Sequence, residues 1–337
     1  MKLYGEELTK DTLCRLVGNM HQLAGAQRFT YAEGRAKGLD AIEIRNGNGL
    51  RLVVLPDRGM DIAYAEYKGI PFSYISNTGL ASSALYEEQD FLRNFAAGLL
   101  TTCGVTYMGA PSFDDGRQLG MHGRISNTPA YNVCVNEGWT EDGRYKISVS
   151  GKVRESRALC ENMVFTREIT VYLGDDHVYL HDRVENEGYK ETPLMLLYHI
   201  NFGYPLVSKH TVLETNCTDV WTENEVSRAG IEKAAEFCDP IPGVEEQLYF
   251  RKAPKAAKAG LYNPQLGLRV GMEFCGDELA YLTEWKMMGE QDYVVGVEPG
   301  TYLPVGRKTA RERGELCTLA ACEARDFHIT LLPELVK

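Results

Sequence analysis

The chain has 337 residues, 44% of them hydrophobic, and a formal net charge of −11, enough apolar material for a substantial core in one large domain or two ordinary ones. The negative charge is spread out, and the basic clusters Arg251-Lys252 and Lys255 to Lys258 are small and set among alanines, which argues against a nucleic-acid partner. No apolar run is long enough to span a bilayer, and the opening MKLYGEELTKDTLCR has no apolar signal region, so the expectation is a cytoplasmic protein with no membrane partner.

Two helices are predicted early. Thr9 caps one running through Asn19, with Leu13, Leu16 and Val17 inward. Ser82 or Ser83 caps another through about Phe95, with Leu85, Phe91, Leu92 and Phe95 on its apolar side. The rest reads as strand and turn. Leu39 to Arg45 and Leu50 to Leu55 flank Asn46-Gly47-Asn48-Gly49, a hairpin signal. Asp61 to Tyr67 and Pro71 to Ser76 follow. Tyr131 to Glu137, Tyr145 to Arg154, Met163 to Leu173 and Val178 to Glu187 form an antiparallel meander.

Leu194 to Tyr198 is a short apolar run suited to a strand buried on both faces. His199 and Asn201 emerge at its end, on one side, before Phe202-Gly203-Tyr204-Pro205. Residues 222 to 265 read as looser, with Pro240 to Gly243 and Ala253 to Gly260 as surface excursions. Strands resume at Leu268 to Phe274, Leu279 to Trp285, Tyr293 to Glu298 and Phe327 to Leu332. With no linker and no internal repeat, the pattern predicts one continuous all-β architecture, a large sandwich of two sheets. Nine cysteines, an odd number without a C-x-x-C pair, read as buried reduced thiols rather than a zinc site or a disulfide framework.

Two histidines stand in suggestive settings. His199 sits at the apolar strand's end beside Asn201. His122, in Leu119-Gly120-Met121-His122-Gly123-Arg124, has glycines that leave the backbone open to a ligand; in an extended segment Arg124 shares its face. Each is weighed against an ordinary core or surface histidine. Glu298 ends a second apolar strand before Pro299-Gly300, either as a wet turn residue or as a base aimed into a cleft. Trp285 is an aromatic platform or core, and Lys286 a site cation or a solvated charge. In Leu55-Pro56-Asp57-Arg58-Gly59-Met60-Asp61, Arg58 and Asp61 reach a ligand or pair at the surface.

Several signatures are absent: a G-x-S-x-G elbow, a P-loop, a G-x-G-x-x-G opening a helix, and H-E-x-x-H. A metal site would have to come from His122, His199 and Glu298, which lack the short spacings of a typical ligand set.

The order of these motifs, His122-Gly123, then Tyr198-His199-Ile200-Asn201-Phe202, then Glu298-Pro299, resembles the aldose 1-epimerases of the galactose mutarotase type. More closely, the chain is similar to a branch of that superfamily described only as an uncharacterised domain. The likeness spans about residues 30 to 335. It implies a large antiparallel β-supersandwich with a few short helices, one domain over 1–337 with a helical lead-in at 1–28. It also implies a sugar cleft on one concave face, and a monomer or homodimer that uses no cofactor or metal. His199 matches the family's catalytic acid, Glu298 its catalytic base, and His122 the histidine that positions the sugar. The family's binding arginine is missing from Gly98 to Gly104, and no counterpart of its binding aspartate stands out. Arg58, Arg124 and Lys286 are the candidates to replace the arginine.

The resemblance therefore implies a mutarotase or epimerase acting on a monosaccharide or simple derivative. Glu298 and His199 would face each other across the width of a pyranose, with His122, Arg124, Asn201 and Lys286 orienting hydroxyls and Trp285 stacking on the ring. The alternatives are a carbohydrate-binding protein without turnover and another isomerase, lyase or hydrolase on the same scaffold.

Overall fold

The computed structural model describes residues 1–336. Two large antiparallel sheets dominate it, one of eleven strands and one of eight. The path of the larger runs Thr218–Trp221, Gln247–Lys252, Tyr281–Met288, Tyr293–Gly300, Met195–Gly203, Leu100–Val105, Asp61–Tyr67, Leu50–Leu55, Asp40–Arg45 and Gly25–Thr30, with Ile70–Pro71 pairing off it. The smaller runs Tyr131–Trp139, Tyr145–Ser156, Asn162–Tyr172, Val178–Asn186, Ala324–Leu335, Leu268–Cys275, Ala256–Asn263 and Val212–Thr215. The predicted hairpin and the four-strand meander both form.

The sheets pack face to face because each strand turns alternate apolar side chains to the same interior. Ile62, Leu100, Tyr198, Ile200 and Val297 from the larger sheet share one core with Val149, Phe165, Val184, Val270 and Ile329 from the smaller. A polar bolt crosses that core. Arg167 is fully buried and donates to Asp182 at 2.9 and 2.6 Å, to Asp61 Oδ1 at 3.1 Å and to Thr102 Oγ1 at 2.8 Å. Tyr198 Oη donates to Asp182 Oδ2 at 2.7 Å. The bolt therefore fastens the strand that carries His199 to the opposite sheet.

Several local expectations change. Thr9 does cap a helix, but it ends at Leu16, which is exposed; Asn19 instead caps the next turn, Met20–Gln22. The helix expected over 83–95 is two 3₁₀ turns, Ser83–Leu85 and Phe91–Asn94, with Phe91 and Phe95 buried and Leu85 and Leu92 exposed. The stretch read as a surface excursion at Ala253 to Gly260 contains a strand start: Ala257, Ala259 and Leu261 point inward while Lys258 pairs outside with Glu273. Alanine's small side chain hid that alternation. Only Cys103 and Cys217 of the nine free cysteines are buried; Cys14, Cys134, Cys160 and Cys322 are exposed.

Candidate active site

The strand through His199 does not stop at Tyr198. It runs from Met195 to Gly203, and all nine residues are buried. Leu196, Tyr198, Ile200 and Phe202 fill the core between the sheets, so His199 and Asn201 project from the other face. By the same alternation Val295 and Val297 point inward and Gly296 and Glu298 outward, while Leu282 and Met288 point inward and Thr283 and Trp285 outward.

Register completes the arrangement. Leu197 pairs with Gly300 and Asn201 with Gly296, which sets His199 opposite Glu298. Thr283 flanks Glu298 on the next strand, and Thr101 flanks His199 on the other side. Four strands thus deliver one row: Thr283, Glu298, His199, Thr101.

His199 Nδ1 lies 3.2 Å from Glu298 Oε1. It is closer to Asn201 Oδ1, at 2.6 Å, and Asn201 Nδ2 donates to the His199 carbonyl at 2.8 Å. That second bond fixes the amide's orientation, so Nδ1–H donates to Asn201. The approach to Glu298 is therefore close without being an aligned hydrogen bond, and Glu298 Oε1 has no hydrogen-bond partner among the described residues. His199 Nε2 remains for a ligand.

His122 completes the cluster. Its ring stands 5.4 Å from that of His199, centroid to centroid, and its buried Nδ1 has no partner among the described residues. Backbone geometry delivers it: His122 N donates to Gly109 O, its carbonyl accepts from Gly104 N, and its φ is +59°. Gly123 is required beside it, with φ +78° and space for a Cβ blocked by Gly104 O at 2.2 Å and Tyr107 O at 2.5 Å. Gly296 is the second such position. A Cβ there would lie 2.1 Å from Glu298 Oε1, so the glycine makes room for the carboxyl group. Aromatic rings close over the row, Phe95 at 5.4 Å and Trp285 at 5.2 Å from His199, and Phe91 at 5.2 Å from His122.

Burial governs the electrostatics. It pushes Glu298 well above the usual carboxylate range, with Glu246 adding repulsion. It pulls His199 down to about 3, helped by His122, and His122 down to about 4. Both effects oppose charge in a water-poor site. Burial thus favours the uncharged form of each group, a neutral imidazole beside a carboxylic acid. Unpartnered buried atoms are rare in folded proteins, and here Thr283 Oγ1, Glu298 Oε1 and His122 Nδ1 gather on one face.

Other expected site residues are employed elsewhere. Arg58 is buried rather than paired at the surface, and donates to the carbonyls of Ser126, Ala81 and Asn94 at 2.8, 2.9 and 3.0 Å. Asp61 belongs to the inter-sheet bolt, where burial raises its pKa to about 6. Lys286 alternates away from Trp285, and its Nζ donates to the carbonyls of Lys233 and Glu236 at 3.2 and 2.5 Å. The segment after His122 is not extended, so Arg124 does not share its face; Arg124 pairs with Glu88. Asn201 holds His199 instead of reaching outward. Sequence reasoning missed Thr283, Glu246 and Asp292, and it read Phe91 and Phe95 only as helix packing; cross-strand register, which brings these groups together, leaves no mark in a single sequence.

A cavity of about 270 Å³ abuts the rings, lined by Tyr74, Phe95, Trp285 and Met287 with Glu246 and Asp292. Trp285 Nε1 donates to Glu246 Oε2 at 2.7 Å and Tyr74 Oη to Asp292 Oδ1 at 3.1 Å. A larger cavity, about 600 Å³, lies elsewhere, beside Thr106 and Arg307. The buried His–Glu pair, not cavity size, marks the candidate site.

Comparison with solved structures gives the same fold. A candidate aldose 1-epimerase from Klebsiella pneumoniae superposes with TM-score 0.88 at 22% identity, covering 95% of this chain and 87% of that one. A galactose mutarotase-like protein from Clostridium acetobutylicum gives 0.68 at 15% identity, over 94% and 100% of the two chains. A galactose 1-epimerase from Lactobacillus acidophilus gives 0.60 at 13% identity, over 93% and 100%. No curated protein matches. The family described as a domain of unknown function, DUF4432, matches residues 36–332, so the chain belongs to that family, and it carries the galactose mutarotase-like β-supersandwich.

Proposed function

We propose that this protein, acting as one domain, is a sugar mutarotase or closely related epimerase that interconverts the anomers of an aldose by acid–base ring opening. The observation that carries the reading is the buried juxtaposition of His199 and Glu298, 3.2 Å apart, with burial shifting both groups toward their uncharged forms. The two groups lie side by side, not across the width of a pyranose. Side by side suits the chemistry: the hydroxyl oxygen and the ring oxygen that must exchange a proton are both bonded to the anomeric carbon, so neighbouring groups reach both.

The reactive form is the one in which the acidic proton has passed from Glu298 to His199 on sugar binding. In the opening step the Glu298 carboxylate then takes the proton of the anomeric hydroxyl, and the His199 imidazolium, through Nε2, gives one to the ring oxygen. The ring C–O bond breaks and the carbonyl forms. The pair is then left as neutral imidazole and carboxylic acid, the state that burial favours in the empty site. After the aldehyde turns, His199 takes the proton back and Glu298 returns one to the new hydroxyl, giving the other anomer. Each positioned acid or base supplies about a hundredfold to ten-thousandfold. His122 would orient a hydroxyl and Trp285 would pack on the sugar's apolar face. Because Phe95 and Trp285 cover the pair, entry requires those rings to move aside.

The adjoining cavity is lined by two carboxylates and by no lysine, arginine or histidine, which favours a neutral sugar over a phosphorylated one. Polarimetry or saturation-transfer NMR across neutral aldoses tests the proposal. Accelerated anomer exchange that Glu298→Gln abolishes, while sugar binding persists, is the expected result. Shifts on binding with no faster exchange for any sugar would make the protein a binder instead.

A further inference from the structure

The 600 Å³ cavity is a separate place. Thr101 pairs with His199, and Thr106, on the cavity wall, lies five residues further along, about 16 Å away at the rise of a strand. Five cations line it, Arg117, Arg157, Lys190, Arg307 and Arg311, against the three acids Asp115, Glu161 and Glu191. That balance opposes the chain's net charge of −11.

Pairing decides how much of this charge is available. Arg117 is committed to Glu161 through two bonds of 2.9 Å. Arg307 and Arg311 share a single carboxylate, Asp114, which leaves one positive charge over. Arg307 is almost wholly buried, and its Nη2 makes no hydrogen bond among the described residues. Arg157 and Lys190 form no ion pair among the described residues; the Lys190 ammonium rests over the Tyr189 ring at 5.1 Å. Glu191 turns to Thr318. Leu159, on the same wall, is 90% exposed.

We propose that this cavity binds a small organic phosphate, its phosphoryl group held by Arg157, Lys190 and the Arg307–Arg311 pair and its organic part laid against Leu159. Guanidinium groups converging from separate segments match the several oxygens of a phosphate better than a single carboxylate does. The volume lies in the range of small-molecule sites. The assignment is independent of the mutarotase reading.

Isothermal titration calorimetry on the whole chain tests it, with glucose 6-phosphate, inorganic phosphate and glucose as probes. Glucose 6-phosphate should bind saturably and more tightly than inorganic phosphate. Arg157→Gln with Arg311→Gln should weaken it by about tenfold or more, while anomer exchange of a neutral sugar stays at the wild-type rate and Glu298→Gln leaves phosphate binding intact. If that double variant unfolds, Arg157→Gln with Lys190→Gln, at exposed positions without ion pairs, should give the same loss. Affinity unchanged in the folded double variant, affinity lost in Glu298→Gln, or equal affinity for inorganic phosphate and the ester would each overturn the proposal.

Discussion

A carboxyl group sealed against protein without a partner is costly, and Glu298 is one. The unfolded chain gives up this proton as pH rises past about 4.5, the ordinary glutamate value, whereas burial makes the native chain keep it. The native state then binds more protons than the unfolded one, so stability falls with rising pH over that window. Glu298→Gln removes the effect. The variant should match wild type near pH 4 and exceed it by roughly 1–3 kcal/mol at neutral pH, the usual cost of an unsatisfied buried group. Urea denaturation at the two pH values measures this, and a pH-independent difference would refute it. His199 carries the opposite sign. Burial lowers it from 6.5 to about 3, so the unfolded chain binds the extra proton and stability declines as pH falls below 6.5. For the same reason kcat/KM should stay level through the ordinary histidine range, between pH 7 and 6, where a free imidazole would titrate. At this scale the sequence singled out two residues that the structure brings together, His199 and Glu298, by their places after apolar runs. It could not tell a buried structural arginine from a ligand-binding one. Arg58 and Asp61 look like site residues in the chain and are satisfied inside the protein by carbonyls, a threonine and a second arginine.

Strands set where those groups meet, and two glycines make the meeting possible. Trp285, Gly296 and Asn201 pair across three adjacent strands, and the missing side chain in the middle is the space Glu298 occupies. Gly296 has an ordinary negative-side backbone, so alanine is tolerated by φ and its effect falls on the carboxyl group 2.1 Å away. Gly296→Ala should therefore keep the fold and lower kcat by about tenfold or more, in line with displacing one acid–base partner. Gly123→Ala meets backbone oxygens at a positive φ and should destabilise the protein by roughly 1–3 kcal/mol. Equal melting temperatures for wild type and Gly123→Ala, or an unchanged kcat in Gly296→Ala, would contradict this account. Element existence was readable where alternation was strong, as in the hairpin around Asn46 to Gly49 and the meander from Tyr131 onward. It failed where polar or small residues occupy buried positions. His199 and Asn201 looked like a strand's end because a sequence gives no sign that both faces are covered, and the alanines of 256–263 concealed an inward face.

The two sheets are joined by apolar packing and by polar links, among them the charged cluster around Arg167, which reaches the site. Tyr198, bonded to Asp182, precedes His199 on the same strand and points the opposite way, so the core-side bond fixes the pitch of the site-side imidazole. Arg167 faces two carboxylates, Asp61 and Asp182. Two full negative charges there would leave the core with a net charge, and burial answers by raising Asp61 to about 6. Removing the guanidinium leaves both carboxyl groups uncompensated. Arg167→Met should cost about 3–5 kcal/mol, the usual penalty for breaking a buried pair from one side. Arg167→Met combined with Asp182→Leu and Asp61→Asn replaces the charges together and should recover much of that loss, because well-packed apolar groups substitute for buried ion pairs at little cost. The recovered variant should still exchange anomers more slowly than wild type, since Tyr198 has lost its acceptor and the strand beneath His199 its anchor. Urea midpoints and saturation-transfer rates measured on the same three proteins separate the two roles. Full recovery of stability together with full recovery of rate would mean that the bolt holds the sheets and does nothing for the histidine.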